Sequence, residues 1–450
     1  MKKLRLILLS LMLVMAFSVS ASAVDVKISG EYYAAGMYLS NTNVNDRYYE
    51  HKDKRINPDQ STAFFYQRLR VGADFVVSPS LKLVTRFDTM ERIWGGARSE
   101  SSTTLAADSY GTAAENENIA VDWAYINYVS PVGKFDIGIM NDGSTGTIFG
   151  NSYAPKPRIK YSYSKDAFTL NLAYTKEKDQ SRSAVATGTS FTDGDNNKYG
   201  IEGVYAWKDG KAGLQINYYD YAEKRPASDN YNRTYLLFTP YAIAKIGPVA
   251  LQAEFNYATG DYKKYDRPDS NPSHIDTKVR SISAYVDATA TFDPVFLGAT
   301  AAYVSGDDPE TGDINEGALN GGRDWNPCLI MFNYYDVANW TGTIYGYDGT
   351  QVTGPMTNAI FVQGRVGVKP VPELKAMLSV SYATADEKPV GYDGNYGWEV
   401  DLTGTYKITN NLSYMLGIGY LFTGDYFKGD NIGVDVNNDY IVMNKLTLTF

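Results

Sequence analysis

The sequence predicts an all-β fold, a transmembrane antiparallel β-barrel of about 18 strands. Three observations carry this. Long runs alternate apolar and polar residues with a period of two, the mark of strands with two different faces. The 450 residues include 38 Tyr and 40 Gly but a single Cys, a composition unlike that of a disulfide-stapled secreted domain. After Val24 no apolar run approaches the roughly 20 residues a membrane helix needs, yet short tight turns alternate with long polar loops.

The elements follow in order. In "FFYQRLRVGADFVV", Phe65, Leu69, Val71, Ala73, Phe75 and Val77 share a face, and Arg68, Arg70 and Asp74 point the other way. In "LKLVTRFD", Leu81, Leu83 and Phe87 oppose Lys82, Arg86 and Asp88. "YGWEVDLTGTYKI" sets Trp398, Val400, Leu402, Tyr406 and Ile408 against Glu399, Asp401, Thr403, Thr405 and Lys407. The last run, "DYIVMNKLTLTF", puts Tyr440, Val442, Leu446, Leu448 and Phe450 on one side and Lys445, Thr447 and Thr449 on the other. It must pair with the first run, "VDVKISGEYYAAGMYL", to close the cylinder. Gly, Pro, Asp and Asn turns follow positions 78, 130, 164, 208, 246, 292, 370 and 408, as hairpins require. About eight short turns, expected on the periplasmic side, and nine long external loops give an even count. A count of 16 stays open, because the runs 235–246 and 292–304 are apolar on both faces. Segment 305–356, with "CLIMFNYY" inside it, reads as an external loop with its own structure, a loop folded into the pore, or an extra strand pair.

Residues 1–23 read as a cleaved signal peptide: a basic start, an apolar stretch to about Val19, and Ala21-Ser22-Ala23 as the cleavage site. Residues 24–450 then form one barrel domain. Removing Lys2, Lys3 and Arg5 takes the formal charge from −9 to −12, which argues against nucleic acid. One Cys, Cys328, allows no internal disulfide.

Lipid offers no hydrogen bonds, so every backbone group of the wall must pair within the protein, and only closure removes the edges. About 18 tilted strands enclose a hole too wide for wall side chains to fill, hence a water-filled lumen. Arg68, Arg70, Lys82 and Arg86 point into it by alternation, as do Arg158 and Lys160 farther on. Arg92 belongs at the rim, against lipid headgroups.

At this point the chain resembles the general bacterial outer-membrane porins of Gram-negative cells. Two stretches carry the likeness. The terminal "KLTLTF" is similar to the last strand by which porins are read by the barrel-assembly machinery. "KFDIGIMNDGSTGTIFGNSYAP" resembles the inward constriction loop, with Gly143, Gly146, Phe149 and Gly150 as its bend and Asp142 as the sole acid near its start. The resemblance implies an outer-membrane location, contact with lipid and lipopolysaccharide, a homotrimer, and a constriction formed by this loop facing the basic wall. Several acids usual in such a loop are missing here.

Enzymatic chemistry finds little support. His51 and His274 sit in loop sequence, away from any Gly-x-Ser-x-Gly elbow. "DGDNN" at 193 and "DVNND" at 435 have alternating oxygen ligands, but each lacks the turn glycine and the closing glutamate of a Ca²⁺ loop. No cofactor or metal is expected, with Ca²⁺ in the acidic external loops a weak alternative. Tyr and Trp near strand ends read as interfacial girdles, while Tyr219, Tyr221 and Tyr285 face inward. The expected function is a passive diffusion channel for small hydrophilic solutes and ions. The alternatives are a channel specific for a sugar, oligosaccharide or organic acid, and a surface-binding barrel without transport.

Overall fold

The computed structural model describes residues 24–45, 49–51, 54–56, 60–95, 119–143, 146–180, 194–222, 230–266, 271–318, 322–431 and 433–450. Residues 1–23, with the expected cleavage site at Ala21 and Ala23, lie outside the described residues, as does the side chain of His51. Eighteen wall strands follow one another: β1 (Asp25–Leu39), β2 (Thr62–Ser78), β3 (Leu81–Ile93), β4 (Ala120–Ser130), β5 (Gly133–Asn141), β6 (Pro155–Lys165), β7 (Phe168–Lys178), β8 (Asn196–Trp207), β9 (Gly210–Tyr221), β10 (Tyr231–Ile246), β11 (Val249–Tyr265), β12 (Thr277–Phe292), β13 (Val295–Val304), β14 (Ala359–Val371), β15 (Leu374–Thr384), β16 (Asn395–Lys407), β17 (Leu412–Thr423) and β18 (Asp439–Thr449). Each pairs antiparallel with its neighbours in sequence, and β1 pairs with both β2 and β18. The ring is therefore closed. The count is 18, and the doubtful runs at 235–246 and 292–304 belong to β10, β12 and β13, each paired on both sides.

The closing seam runs from Glu31 opposite Thr449 to Leu39 opposite Ile441. Gly30 and Phe450 exchange backbone hydrogen bonds of 2.8 and 3.0 Å. A Cβ at Gly30 would run into the Phe450 ring, so glycine makes room for the terminal aromatic side chain.

The outside of the wall is apolar. Tyr440, Val442, Leu446, Leu448 and Phe450 are all exposed, and so are the outward residues of the neighbouring strands, such as Leu416, Ile418 and Leu402. Outward rings pair near both ends. Phe168–Tyr205 (4.8 Å) and Phe135–Tyr161 (5.1 Å) lie beside the turns, while Tyr382–Trp398 (4.6 Å) and Tyr420–Phe422 (4.7 Å) lie beside the loops. An apolar belt between two aromatic girdles, on a closed barrel of even strand number, is the architecture of outer-membrane proteins. The chain folds as a closed 18-strand antiparallel barrel of this kind.

The lumen departs from expectation. Of the segment whose reading the sequence left open, residues 322–358 fold into the barrel as a plug, the pore-folded loop among the three readings. Trp325, Cys328, Ile330, Met331, Phe332, Val337, Ile344, Val352 and Met356 are buried in one cluster with inward residues of β1, β2 and β12–β18, including Tyr33, Tyr66, Tyr285, Phe361 and Met443. A true hydrophobic core thus sits inside one half of the barrel, where a wholly polar, water-filled interior was expected. Burying each such side chain contributes roughly 1.5–3 kcal/mol. The plug is mostly irregular, with short helical turns at Tyr334–Ala338, Asn339–Thr341 and Tyr347–Gly349. Ahead of it, the two-residue strand Ile314–Asn315 pairs with Lys278 and Val279. It thereby covers the end of β12 beyond its ladder with β13, which begins at Ser283.

Candidate functional site

Among the described residues two inward segments shape the lumen: an inner loop, residues 142–143 and 146–154 between β5 and β6, and the plug. Each is held by one wall glutamate that accepts two hydrogen bonds. Glu254 on β11 accepts from the backbone N–H and the hydroxyl of Thr147, both at 2.8 Å. Glu399 on β16, fully buried, accepts from the N–H groups of Ile330 (2.6 Å) and Met331 (2.7 Å). A wall carboxyl group accepting backbone N–H groups satisfies irregular backbone that would otherwise be orphaned. The two segments also hold each other. Asp324 of the plug accepts from Asn151 Nδ2 (2.7 Å) and the Tyr153 N–H (3.2 Å) of the loop. Burial raises the Asp324 carboxyl above the usual range, against the opposing pull of the Tyr153 N–H.

Beside Glu399, Cys328 and Asp401 are buried, with ligand atoms of all three within 4.8 Å of one another. Among the described residues this is the group best placed to hold a cation. Both Glu399 oxygens are already committed to the plug backbone. Burial holds the Cys328 thiol well above its ordinary pKa, with Glu399 and Asp401 adding to the effect.

The inner loop separates two clefts. The first is lined by β2–β4, Tyr153 and Pro155 on one side and by Arg323, Asp324, Tyr334 and Tyr335 of the plug on the other, around about 230 Å³ of space. Here the basic wall is internally compensated. Arg70 holds Asp88 through two bonds of 2.6 Å and reaches Asp122 at 3.4 Å. Arg86 contacts Asp122 at 3.0 Å and lies 3.8 Å over the Trp123 ring. Arg68 is shared by Glu31 (3.5 Å) and Glu91 (3.8 Å). These three arginines meet four carboxylates, so the ladder carries no net positive charge. Burial pushes the Tyr153 phenol up to about 12, and it stays neutral beside Arg86.

The second cleft lies between the loop and β6–β11 and holds about 210 Å³. Asp142, the acid of the inner loop, is paired with Arg158 (3.0 Å) and with Lys198, and accepts from the Thr175 hydroxyl (3.1 Å). Glu177 takes Lys156 at 2.8 Å and Lys198 at 3.7 Å.

The sequence-derived residues thus divide between different places. Arg68 and Arg70 line the first cleft and Asp142 the second, while Arg86 and Arg158 are held beside them by Asp122 and Asp142. Lys160 points inward with no carboxylate within ion-pair distance among the described residues. Lys82 pairs with Asp74 at 2.6 Å, beside the turn that joins β2 and β3. Lys445, expected to meet pore water, pairs with Asp336 of the plug at 3.4 Å. Phe149 lies away from the water space: it is buried against Tyr285 (5.1 Å, stacked) and Trp325 (5.2 Å), pinning loop to plug. His274 is a buried loop residue stacked on Tyr265 at 4.4 Å, and Asp276 bonds the Tyr265 N–H.

The sequence reading missed Asp122, Glu254 and Lys198. Asp122 follows a long polar stretch, and a register shift opposite Arg86/Phe87 turns both Asp122 and Trp123 toward Arg86, which strict alternation forbids. Glu254 is a charge on the inward face of β11, flanked by outward apolar residues, a pattern visible in "LQAEFNY".

No family model matches the chain, and no curated protein does. Among solved structures it is similar to OccK1 (OpdK) of Pseudomonas aeruginosa at 13% identity and TM-score 0.49, covering 94% of this chain and 99% of that one. OpdQ of the same organism overlaps at 12% identity and TM-score 0.47, covering 96% and 99%. OmpT, an outer membrane protein of Vibrio cholerae, overlaps in its trimer form at 12% identity and TM-score 0.41, covering 95% and 100%. At such identity and overlap these likenesses add nothing beyond a barrel architecture already visible in the strand order.

Proposed function

We propose that the chain is a solute-selective channel of the outer membrane, acting without a covalent step or cofactor. The observation that carries this is the filling of the lumen. An open 18-stranded barrel would be a wide aqueous pore, but here, among the described residues, the plug and the inner loop fill much of the lumen and border two charge-paired clefts. A solute is then selected by its fit to fixed charges and hydrogen-bonding groups as well as by size. The plug favours this reading over that of a general diffusion pore. Assembly as a homotrimer belongs to the same proposal, and cross-linking in native membranes tests it separately.

Single-channel recording in planar bilayers tests the channel itself, and complete absence of conductance steps overturns it. Liposome swelling tests selectivity. Rates should depend on solute chemistry at equal size and saturate for at least one class. Rates that follow size alone return the protein to the general pores.

A further inference from the structure

We propose that the second cleft is a binding subsite for a neutral polyhydroxylated solute the size of a small saccharide. The proposal rests on the channel reading and deepens it. The two faces of the cleft differ in kind. One carries the paired charges Asp142–Lys198 and Lys156–Glu177. An ion of either sign entering here must displace a partner already in place, whereas a hydroxyl can accept from an ammonium and donate to a carboxylate while leaving the pair intact.

The opposite face is amide-rich, and its side chains fall into two states. Asn256 and Thr239 are spent on each other (2.7 Å), and Asn256 also donates to Glu254 (3.1 Å). Gln215 and Asn217, which also line the cleft, have no side-chain partner among the described residues. Asn217 is only 7% exposed. A carboxamide so enclosed, offering two donors and an acceptor and bonded to nothing in the protein, calls for a polar occupant. A sugar hydroxyl both donates and accepts, and a vicinal pair can span one carboxamide. Tyr219 stacks on Tyr235 at 4.5 Å and 13° at the edge of the same space, giving an aromatic surface for the C–H face of a pyranose. The first cleft lacks this pairing of free amides with balanced charge, since carboxylates outnumber the guanidinium groups of its wall.

The test applies glucose and maltose, with glycine and benzoate as zwitterionic and anionic controls, to the full-length protein in two ways. One is interruption of single-channel current. The other is calorimetric titration in detergent micelles, which does not depend on conduction. Asn217→Leu removes the free amide, and Gln215→Ala is the milder variant should the first assemble poorly. The expected result is saturable binding of at least one sugar, with half-saturation raised by about tenfold in Asn217→Leu, the loss expected from about two hydrogen bonds. No saturable sugar effect by either method overturns the subsite, as does an effect of glycine or benzoate without one of the sugars. Half-saturation unchanged in both variants also overturns it. Sugar binding by calorimetry without any conductance leaves the subsite standing and sinks the channel reading instead.

Discussion

Arg70 shows how a single lumen residue differs from what its sequence face suggests. Its guanidinium is held by Asp88 at 2.6 Å and by Asp122 at 3.4 Å, so it acts as an internal counter-charge more than as an open anion site. In Arg70→Ala, Asp88 loses its main partner and Asp122 keeps only Arg86, and the reversal potential in a salt gradient should move toward cations. An unchanged potential would place Arg70 outside the conducting path. Cys328 makes a second residue-scale case. Burial raises its thiol pKa, so the reactive thiolate is scarce at pH 8 and the sulfur is enclosed by the plug. A maleimide reagent should leave the folded protein unlabelled for hours and modify it at once after denaturation. Rapid labelling of the folded protein would mean that the plug opens readily.

At the scale of elements, the plug and inner loop are separate inserts locked by two wall glutamates. Glu399→Ala leaves the buried N–H groups of Ile330 and Met331 without acceptors, at about 1–3 kcal/mol for each. The barrel ladders do not involve this side chain. The variant should therefore still assemble while its plug loosens, raising single-channel conductance severalfold and weakening solute discrimination. Normal conductance in an assembled Glu399→Ala barrel would show that the apolar cluster alone seats the plug. Strands β10 and β13 explain why this element was hard to see in the sequence. Their inward faces carry Tyr235, Leu237 and Tyr241, and Phe296, Ala302 and Val304. Such faces blur the two-sided pattern of a pore wall. On β13, Ala302 and Val304 mark where the plug packs, so a weak strand signal was a sign of an internal partner.

For the whole molecule, closure is the governing constraint. Phe450 ends the last strand by bonding Gly30 of the first, and its ring lies where a Cβ at Gly30 would fall. Deleting Phe450 removes the final rung of the seam and one outward aromatic of the turn-side rim. The yield of heat-modifiable barrel on unboiled gels should drop sharply, while barrels that do form should conduct normally. Equal yields would mean that the other β1–β18 pairs suffice for assembly.

The sequence by itself determined the wall: a barrel of about 18 strands with 16 still open, the positions of the turns, the lipid-facing residues and the closing pair of strands. These are legible because lipid on one side and protein or water on the other impose a period of two on every strand, and because hairpin turns need particular residues. It also placed Arg68, Arg70, Arg86 and Arg158 on the inner face. Only the tertiary structure decided what the inner face meets. Alternation says which way a side chain points, but not whether water, a carboxylate from the next strand or a distant segment lies opposite. The pairing of Arg70 with Asp122 across a register shift depends on contacts far apart in sequence, as do the burial of Phe149 against Trp325 and the seating of the plug on Glu399. No local periodicity encodes them, because the energies that fix them arise only once the cylinder has closed and the segments share one interior.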